Sequence, residues 1–324
     1  MRERVEVVAP ASTANLGPGF DSIGMALNLF TTVRVELAEE TRLFFHSDSL
    51  AGLPTGDDNL LLQVMQKCFA EQGKELPPLH VHVWSDIPLT RGLGSSAAAL
   101  AAGLVASNAL LGEVYSSEDL VQLGTAWEGH PDNIGASLLG GVVIGSWDGQ
   151  HASVVRVESP PLDVVVAVPQ FELPTKRARS ALPEKIPFKD AVLSSSKANV
   201  LTAALITGRW DLLDAAMCDL LHQPYRAQFI PGMTDILNTA RDHGALGIAL
   251  SGAGPTLLAF TREKTKLTRY LKDAFTRYGV PVSILHLKPW DTGAVVRLTE
   301  PRQTCTVLRK RDNRPITTSE GASS

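Results

Sequence analysis

The segment that most limits what this chain can fold into is Pro88-Leu89-Thr90-Arg91-Gly92-Leu93-Gly94-Ser95-Ser96-Ala97-Ala98-Ala99. It lies between an alternating strand pattern at residues 81–84 and an Ala- and Leu-rich helix pattern at 95–111, so its glycines and serines occupy a strand-to-helix turn. Glycines at 92 and 94 let the backbone approach a ligand closely, and the first N–H groups of the following helix lack intrahelical partners. Such a turn is a socket for phosphate, reinforced by the helix dipole. The hydroxyls of Ser95 and Ser96 can donate to phosphate oxygens or bind a phosphate-held Mg²⁺. Taken alone, the segment reads equally well as an ordinary helix start capped by Ser95.

Two other nucleotide loops do not fit. No G-x-x-x-x-G-K-[ST] occurs, and the glycine pairs 17/19, 92/94 and 252/254 lack the third glycine of the dinucleotide fingerprint. Length and charge narrow the class further. The 324 residues suggest two units at roughly 150 residues per domain, and a hydrophobic content of 44% supplies two cores. Lys plus Arg is 30 against 34 for Asp plus Glu, so the net charge of −4 offers no positive field to attract nucleic acid. No run approaches the ~18 apolar residues that a bilayer span needs. Residues 1–10 set Arg2, Glu3, Arg4 and Glu6 around valines, which reads as a strand and not as an export signal. A cytoplasmic location without nucleic-acid or membrane partners is therefore expected. Cys68, Cys218 and Cys305 are odd in number and far apart, so neither a disulfide framework nor a CxxC site is predicted.

Strand patterns at 5–8, 32–37 and 81–84 alternate with helix patterns at 59–70 and 95–111. Residues 162–168 read as a strand buried on both faces, and Pro160-Pro161 marks a domain joint before it. The second half carries helix patterns at 191–205, 210–221, 234–243 and 266–278, and strand patterns at 246–250, 256–260 and 280–287. The polar, Ser- and Thr-rich end reads as a flexible tail. The division predicted is 1–160, 161–300 and a tail over 301–324. Periodicity gives only a mixed α and β class.

The phosphate turn resembles the ATP-binding motif of the GHMP small-molecule kinases, named for galacto-, homoserine, mevalonate and phosphomevalonate kinases. Two further stretches, Pro10-Ala11-Ser12-Thr13-Ala14-Asn15-Leu16-Gly17-Pro18-Gly19-Phe20-Asp21-Ser22-Ile23-Gly24-Met25-Ala26-Leu27 and Glu128-Gly129-His130-Pro131-Asp132-Asn133-Ile134-Gly135-Ala136, resemble the homoserine kinase branch of that family. Ser251-Gly252-Ala253-Gly254-Pro255-Thr256 resembles the remaining family motif, and all four stand in the family's order. The resemblance implies a two-domain α/β (α+β) fold. Its amino-terminal domain would carry a left-handed βαβ crossover, and its carboxy-terminal domain would be ferredoxin-like, with the site between them. It also implies ATP- and Mg²⁺-dependent phosphorylation of the L-homoserine hydroxyl to O-phospho-L-homoserine for threonine biosynthesis, by a homodimer. Two alternatives remain open at this point: another kinase of the superfamily, such as a mevalonate kinase, and a catalytically silent nucleotide-binding regulator on the same fold.

The same resemblance assigns roles residue by residue. ATP is expected at Asn59, Pro88, Arg91, Gly92, Leu93, Gly94, Ser95, Ser96 and Ala97, and the metal at Ser96 and Glu128. Homoserine is expected at Asn15, Asp21, His130, Arg179, Arg226 and Gly254, with Asp21 suited to its ammonium and the two arginines to its carboxylate. Asn133 would orient the reacting hydroxyl, and Asp132 is the lesser candidate as a base. Each has a plainer reading too. Asn15 to Asp21 and Ser251 to Gly254 have turn composition, Asn59 suits a helix cap, and most arginines are solvated surface charges. His80 and His82 alternate on a strand without a third ligand, so no metal is expected there.

Overall fold

A computed structural model describes residues 3–297. The first body contains β1 (Arg4–Asn15), β2 (Gly19–Leu37), β3 (Arg42–Phe45), α1 (Leu60–Glu71), β4 (Leu79–Ser85), α2 (Ser95–Leu111), α3 (Ser117–Glu128), α4 (Asp132–Leu139), β5 (Val142–Trp147) and β6 (Ala152–Val157). The second contains β7 (Asp163–Pro169), α5 (Thr175–Ser180), α6 (Phe188–Thr207), α7 (Leu213–Ala216), α8 (Gln223–Arg226), α9 (Met233–Thr239), β8 (Ala245–Leu250), β9 (Leu257–Thr261), α10 (Lys264–Arg277) and β10 (Val282–Leu287). The last described strand is β11 (Val295–Arg297).

The first sheet runs β11-β1-β2-β4-β3, with β5 added to β2 and β6 to β5. Among the described residues only β3 and β4 pair in parallel, and α1 lies between them in the chain. The second sheet runs β10-β7-β9-β8. Counted within this body, a β-α-β-β-α-β succession gives strand order 4-1-3-2, the ferredoxin-like arrangement that the resemblance implied. β11 then returns to the first sheet and pairs with β1, so the end of the expected 161–300 unit completes the first body. The expected tail at 301–324 lies outside the described residues.

The Val-rich run at β7 is buried throughout because both faces of its sheet are covered. Val164, Val166, Leu258 and Phe260 join the core shared with the first body, while Val165, Ala167, Leu257 and Ala259 face the core under α9 and α10. α2 is apolar on nearly every side for the same reason. It packs on β1, β2, α1 and α4, burying Ala97, Leu100, Leu104 and Leu110. Its start is fixed by Gly94, whose φ of 68° is left-handed and whose Cβ would lie 2.2 Å from Ser12 Oγ, so a side chain there is excluded on two counts.

The predicted helix at 210–221 is shorter than its pattern. Only a single 3₁₀ turn and α7 form, and the chain leaves the helix at Met217. Asp219 explains the ending: its carboxylate accepts from the backbone N–H groups of Leu221, His222 and Gln223, an alternative to helical bonding that starts α8 instead. This loop presses Met217 against the β1–β2 turn, where a Cβ on Gly17 would fall 2.1 Å from the Met217 carbonyl oxygen. A glycine is therefore required at 17, and the two bodies meet at that turn.

Candidate active site

A cavity of about 390 Å³ opens where the β1–β2 turn, the turn before α2, the α3–α4 junction and the loops carrying α5 and α8 converge. Asn15, Asp21, Gly92, Gly94, Ser95, Ser96, Ala97, Glu128, His130, Asp132, Asn133, Arg179 and Arg226 all line it. A more apolar cavity of about 300 Å³ lies on the far side of the same turn, lined by Phe45, Leu50, Leu53, Pro54, Asn59, Leu61, Val83 and Leu89. Thr90, Ser95 and Ser96 are common to both, so the phosphate turn is the wall between a polar and an apolar chamber.

The residues expected at ATP divide accordingly. Asn59 caps α1, accepting from Leu61 N–H at 2.9 Å, and also borders the apolar chamber. Pro88 and Leu93 shape the turn from behind, with Leu93 packed in the core. Arg91 turns away: its guanidinium donates to Leu89 O and Thr90 Oγ1 and lies 3.5 Å from Glu172. The 251–254 turn braces the phosphate turn, since Ser251 Oγ donates to Gly92 O at 2.6 Å. From it Gly252 and Ala253 reach the cavity wall, whereas Gly254 is buried against Leu250 and Ile230 and does not line it.

On the polar side, Arg179 grips Asp21 through two parallel hydrogen bonds of 2.8 Å. Asp21 sits at φ 53° and its N–H donates to Asn15 Oδ1, so the turn holds the carboxylate outward. Arg226 is only 2% exposed and forms no ion pair among the described residues. Its pKa is pushed down to about 10 by burial and by the neighbouring Arg179. Both guanidinium groups stand 5.3 Å from the Phe20 ring centre. An uncompensated buried cation beside a half-open acid–guanidinium pair is what an anionic group next to an ammonium would complete.

At the opposite wall, His130 Nδ1 lies 2.6 Å from Asp132 Oδ1, which raises the imidazole pKa to about 9 despite burial, so the ring is cationic at neutral pH. The same oxygen accepts from Asn133 N–H at 2.7 Å. Asn133 Oδ1 accepts from Ser12 Oγ at 3.0 Å, which leaves its amide NH₂ for the cavity. Glu128, at the end of α3, has a buried Oε2 with no hydrogen-bond partner, and burial pushes its pKa up to about 7. Asp21, His130 and Asp132 also lie close enough to share an ion, but each is already paired, with Arg179 or with one another.

Family models for the GHMP kinase N-terminal and C-terminal domains match residues 59–141 and 201–276. The chain is 44% identical over 292 residues to homoserine kinase of Moorella thermoacetica, covering 90% of this chain and 99% of that one. It is 47% identical over 255 residues to homoserine kinase of Bacillus licheniformis, covering 78% and 83%. The chain belongs to the homoserine kinase family of GHMP kinases. The crystal structure of homoserine kinase from Cytophaga hutchinsonii superposes with a TM-score of 0.82 at 29% identity, covering 92% of this chain and 98% of that chain. A mevalonate kinase structure at 14% identity, with a TM-score of 0.65 over 88% of this chain and 99% of its own, shares the fold. The fully buried His222 behind Arg226 has no role legible in the sequence, and the assembled structure brings it to the site.

Proposed function

We infer that the chain transfers the γ-phosphoryl group of ATP to the side-chain hydroxyl of L-homoserine, forming O-phospho-L-homoserine and ADP in threonine biosynthesis. The observation that carries this reading is the pairing of Asp21 with Arg179 beside the buried Arg226, which forms no ion pair among the described residues, in one cavity with the phosphate turn. A zwitterion fits that charge pattern; mevalonate, with no ammonium group, leaves Asp21 idle. The nucleotide base would occupy the apolar chamber beside Asn59, and the triphosphate would lie across Gly92, Gly94 and Ser95 to Ala97.

Mg²⁺ suits the site because Glu128 supplies a buried carboxylate oxygen without a partner and Ser96 borders both chambers. When bound, the ion would neutralise charge on the β- and γ-phosphates. The chain's own residues do the rest. Arg226 and Arg179 hold the substrate carboxylate, Asp21 takes the ammonium, and the Asn133 amide hydrogens hold the hydroxyl oxygen in line with the γ-phosphorus. The new P–O bond forms as the bond to ADP breaks, and the hydroxyl proton is released to solvent. In a loose transition state the attacking oxygen carries little developing charge, so an early base is not needed. Asp132 is committed to the cationic His130 and to Asn133 N–H, which suits it to positioning those two residues.

The reading is tested with purified protein, ATP and a panel of homoserine, threonine, serine and mevalonate in an ADP-coupled assay. Phosphorylation of homoserine at least tenfold faster than of the others is expected. Turnover of mevalonate, or ATP binding with no turnover of any acceptor, would refute it. Arg179→Ala is expected to raise the homoserine KM at least tenfold with the ATP KM within threefold; equal effects on both would remove Arg179 from the substrate.

The protein is further proposed to be a cytoplasmic homodimer. Among the described residues no helix is long and apolar enough to cross a membrane. Along α6, Phe188, Val192, Leu193, Val200 and Ile206 are all exposed, Phe188 by 85%. Exposed apolar side chains gathered on one helix are what packing against a second copy of the chain would cover. Replacing Phe188 and Val192 together by Lys is expected to halve the mass measured by light scattering; an unchanged mass would place the interface elsewhere.

A further inference from the structure

His222 is fully buried, and the proposed reaction gives it no acid–base task. Both of its nitrogens are nevertheless engaged. Nε2 lies 2.9 Å from the Gly17 carbonyl oxygen and 3.4 Å from Asp219 Oδ2, and both of these accept, so Nε2 carries the proton. Nδ1 lies 3.1 Å from Nη1 of Arg226. A guanidinium only donates, so Nδ1 presents its lone pair. The tautomer is thereby fixed as neutral Nε2–H. Burial and the charge of Arg226 hold the ring's pKa down against the pull of Asp219 and Asp21. The ring face stacks on Phe20 at 5.2 Å, the same ring that both arginines overlie.

We propose that His222 is a positioning residue for substrate binding: anchored to the β1–β2 turn at one nitrogen, it accepts from Arg226 at the other and thereby aims the guanidinium at the amino-acid carboxylate. The proposal rests on the assignment of Arg226 to that carboxylate. The remaining contacts of Arg226 support the geometry. Nη1 also donates to Gly252 O at 2.9 Å and Nε reaches Ala178 O at 3.4 Å, so the bonds among the described residues engage Nε and Nη1 and leave Nη2 for a ligand. Three acceptors around a planar fork fix its rotation, whereas two on one edge would let it tilt out of register with Asp21. The imidazole also ties this orientation to the turn that bears Asn15 and Asp21, so the groups meeting the carboxylate and the ammonium move as one piece.

The two ring nitrogens can be tested separately. His222→Asn places an amide oxygen near Nδ1 and keeps the acceptor for Arg226, while His222→Gln reaches toward the Gly17 carbonyl and removes it. His222→Gln is expected to raise the homoserine KM roughly tenfold to a hundredfold, the loss of one hydrogen bond to a charged group. Its kcat and ATP KM should stay within about threefold of the parent, and His222→Asn should recover a homoserine KM within about fivefold. In an Arg226→Ala background, His222→Gln should have no further effect on homoserine KM. Additive effects there, an unchanged KM in His222→Gln, or a parallel fall of kcat and both substrate affinities in the two variants would overturn the proposal. Arg226→Ala with an unchanged homoserine KM would instead overturn the site assignment beneath it. Thermal melts verify that each variant is folded at the assay temperature.

Discussion

Glu128→Gln is expected to lower turnover a hundredfold to a thousandfold, the scale on which removal of one preorganised charge-stabilising group acts, and to leave a chain that resists unfolding better above pH 7. The two effects share one cause. Burial raises the Glu128 pKa from 4.5 to about 7, so the ionised carboxylate is costly in the folded chain without a cation beside it. Between those values the folded state keeps a proton that the unfolded state releases. Stability therefore falls as pH rises through that window and stays low above it. The shift corresponds to a cost on the order of 3 kcal/mol at pH 8, which a neutral glutamine avoids. Urea unfolding of both proteins without divalent ions at pH 5 and pH 8 measures this: the variant's advantage should be large at pH 8 and shrink at pH 5. A variant weaker than the parent at pH 8 would mean that Oε2 has a partner after all. Titrating kcat with Mg²⁺ checks the other half, since the variant should need more metal than the parent to reach half of its maximal rate.

The second large effect is expected at Arg226. Arg226→Ala should raise the homoserine KM by roughly 30- to 1,000-fold, the equivalent of about 2–4 kcal/mol for truncating one member of a buried charge pair. The ATP KM should change little, because the phosphate turn is built from other elements. Arg226→Lys should not restore binding, since a point charge on a flexible stem cannot reproduce a fork held by His222, Gly252 and Ala178. Arg226→Met provides the stability counterpart. A guanidinium whose pKa is depressed in the folded chain opposes folding at every pH where it stays charged, so the apolar variant should melt higher than the parent while failing to bind substrate. Isothermal titration with homoserine and a thermal melt of each variant decide both points. A lower melting temperature for Arg226→Met would show that its hydrogen bonds outweigh the cost of burying its charge.

These two residues also show where reading a sequence stops. Glu128 and Arg226 were assigned through resemblance to a family, because nothing in their own neighbourhoods separates a metal ligand from a helix end or a substrate clamp from a surface arginine. The helix at 95–111 needed no relatives: its alanines, the glycines before it and the glycine after it specify start, length and end through local backbone preferences. The helix pattern at 210–221 misled for an equally local reason, since Asp219 offered the backbone a competing set of hydrogen bonds that periodicity does not register. β11 carried too few residues to announce that the chain returns to the first sheet.

What the residue order settled by itself is whatever a few neighbouring residues can enforce: a glycine-lined turn ahead of an alanine helix, an apolar strand covered on both faces, a tight bend after the first strand. What only the folded chain decided is which charges meet and in which protonation state. Asp21 and Arg179 are 158 positions apart, and His222 touches a carbonyl 205 positions away. Burial raises the Glu128 pKa, and burial together with the Arg179 charge, 47 positions away in the sequence, lowers that of Arg226. Steric and hydrogen-bonding preferences of a backbone act within a turn or two, whereas desolvation and Coulomb forces depend on distances that exist only once the two bodies have closed on one another.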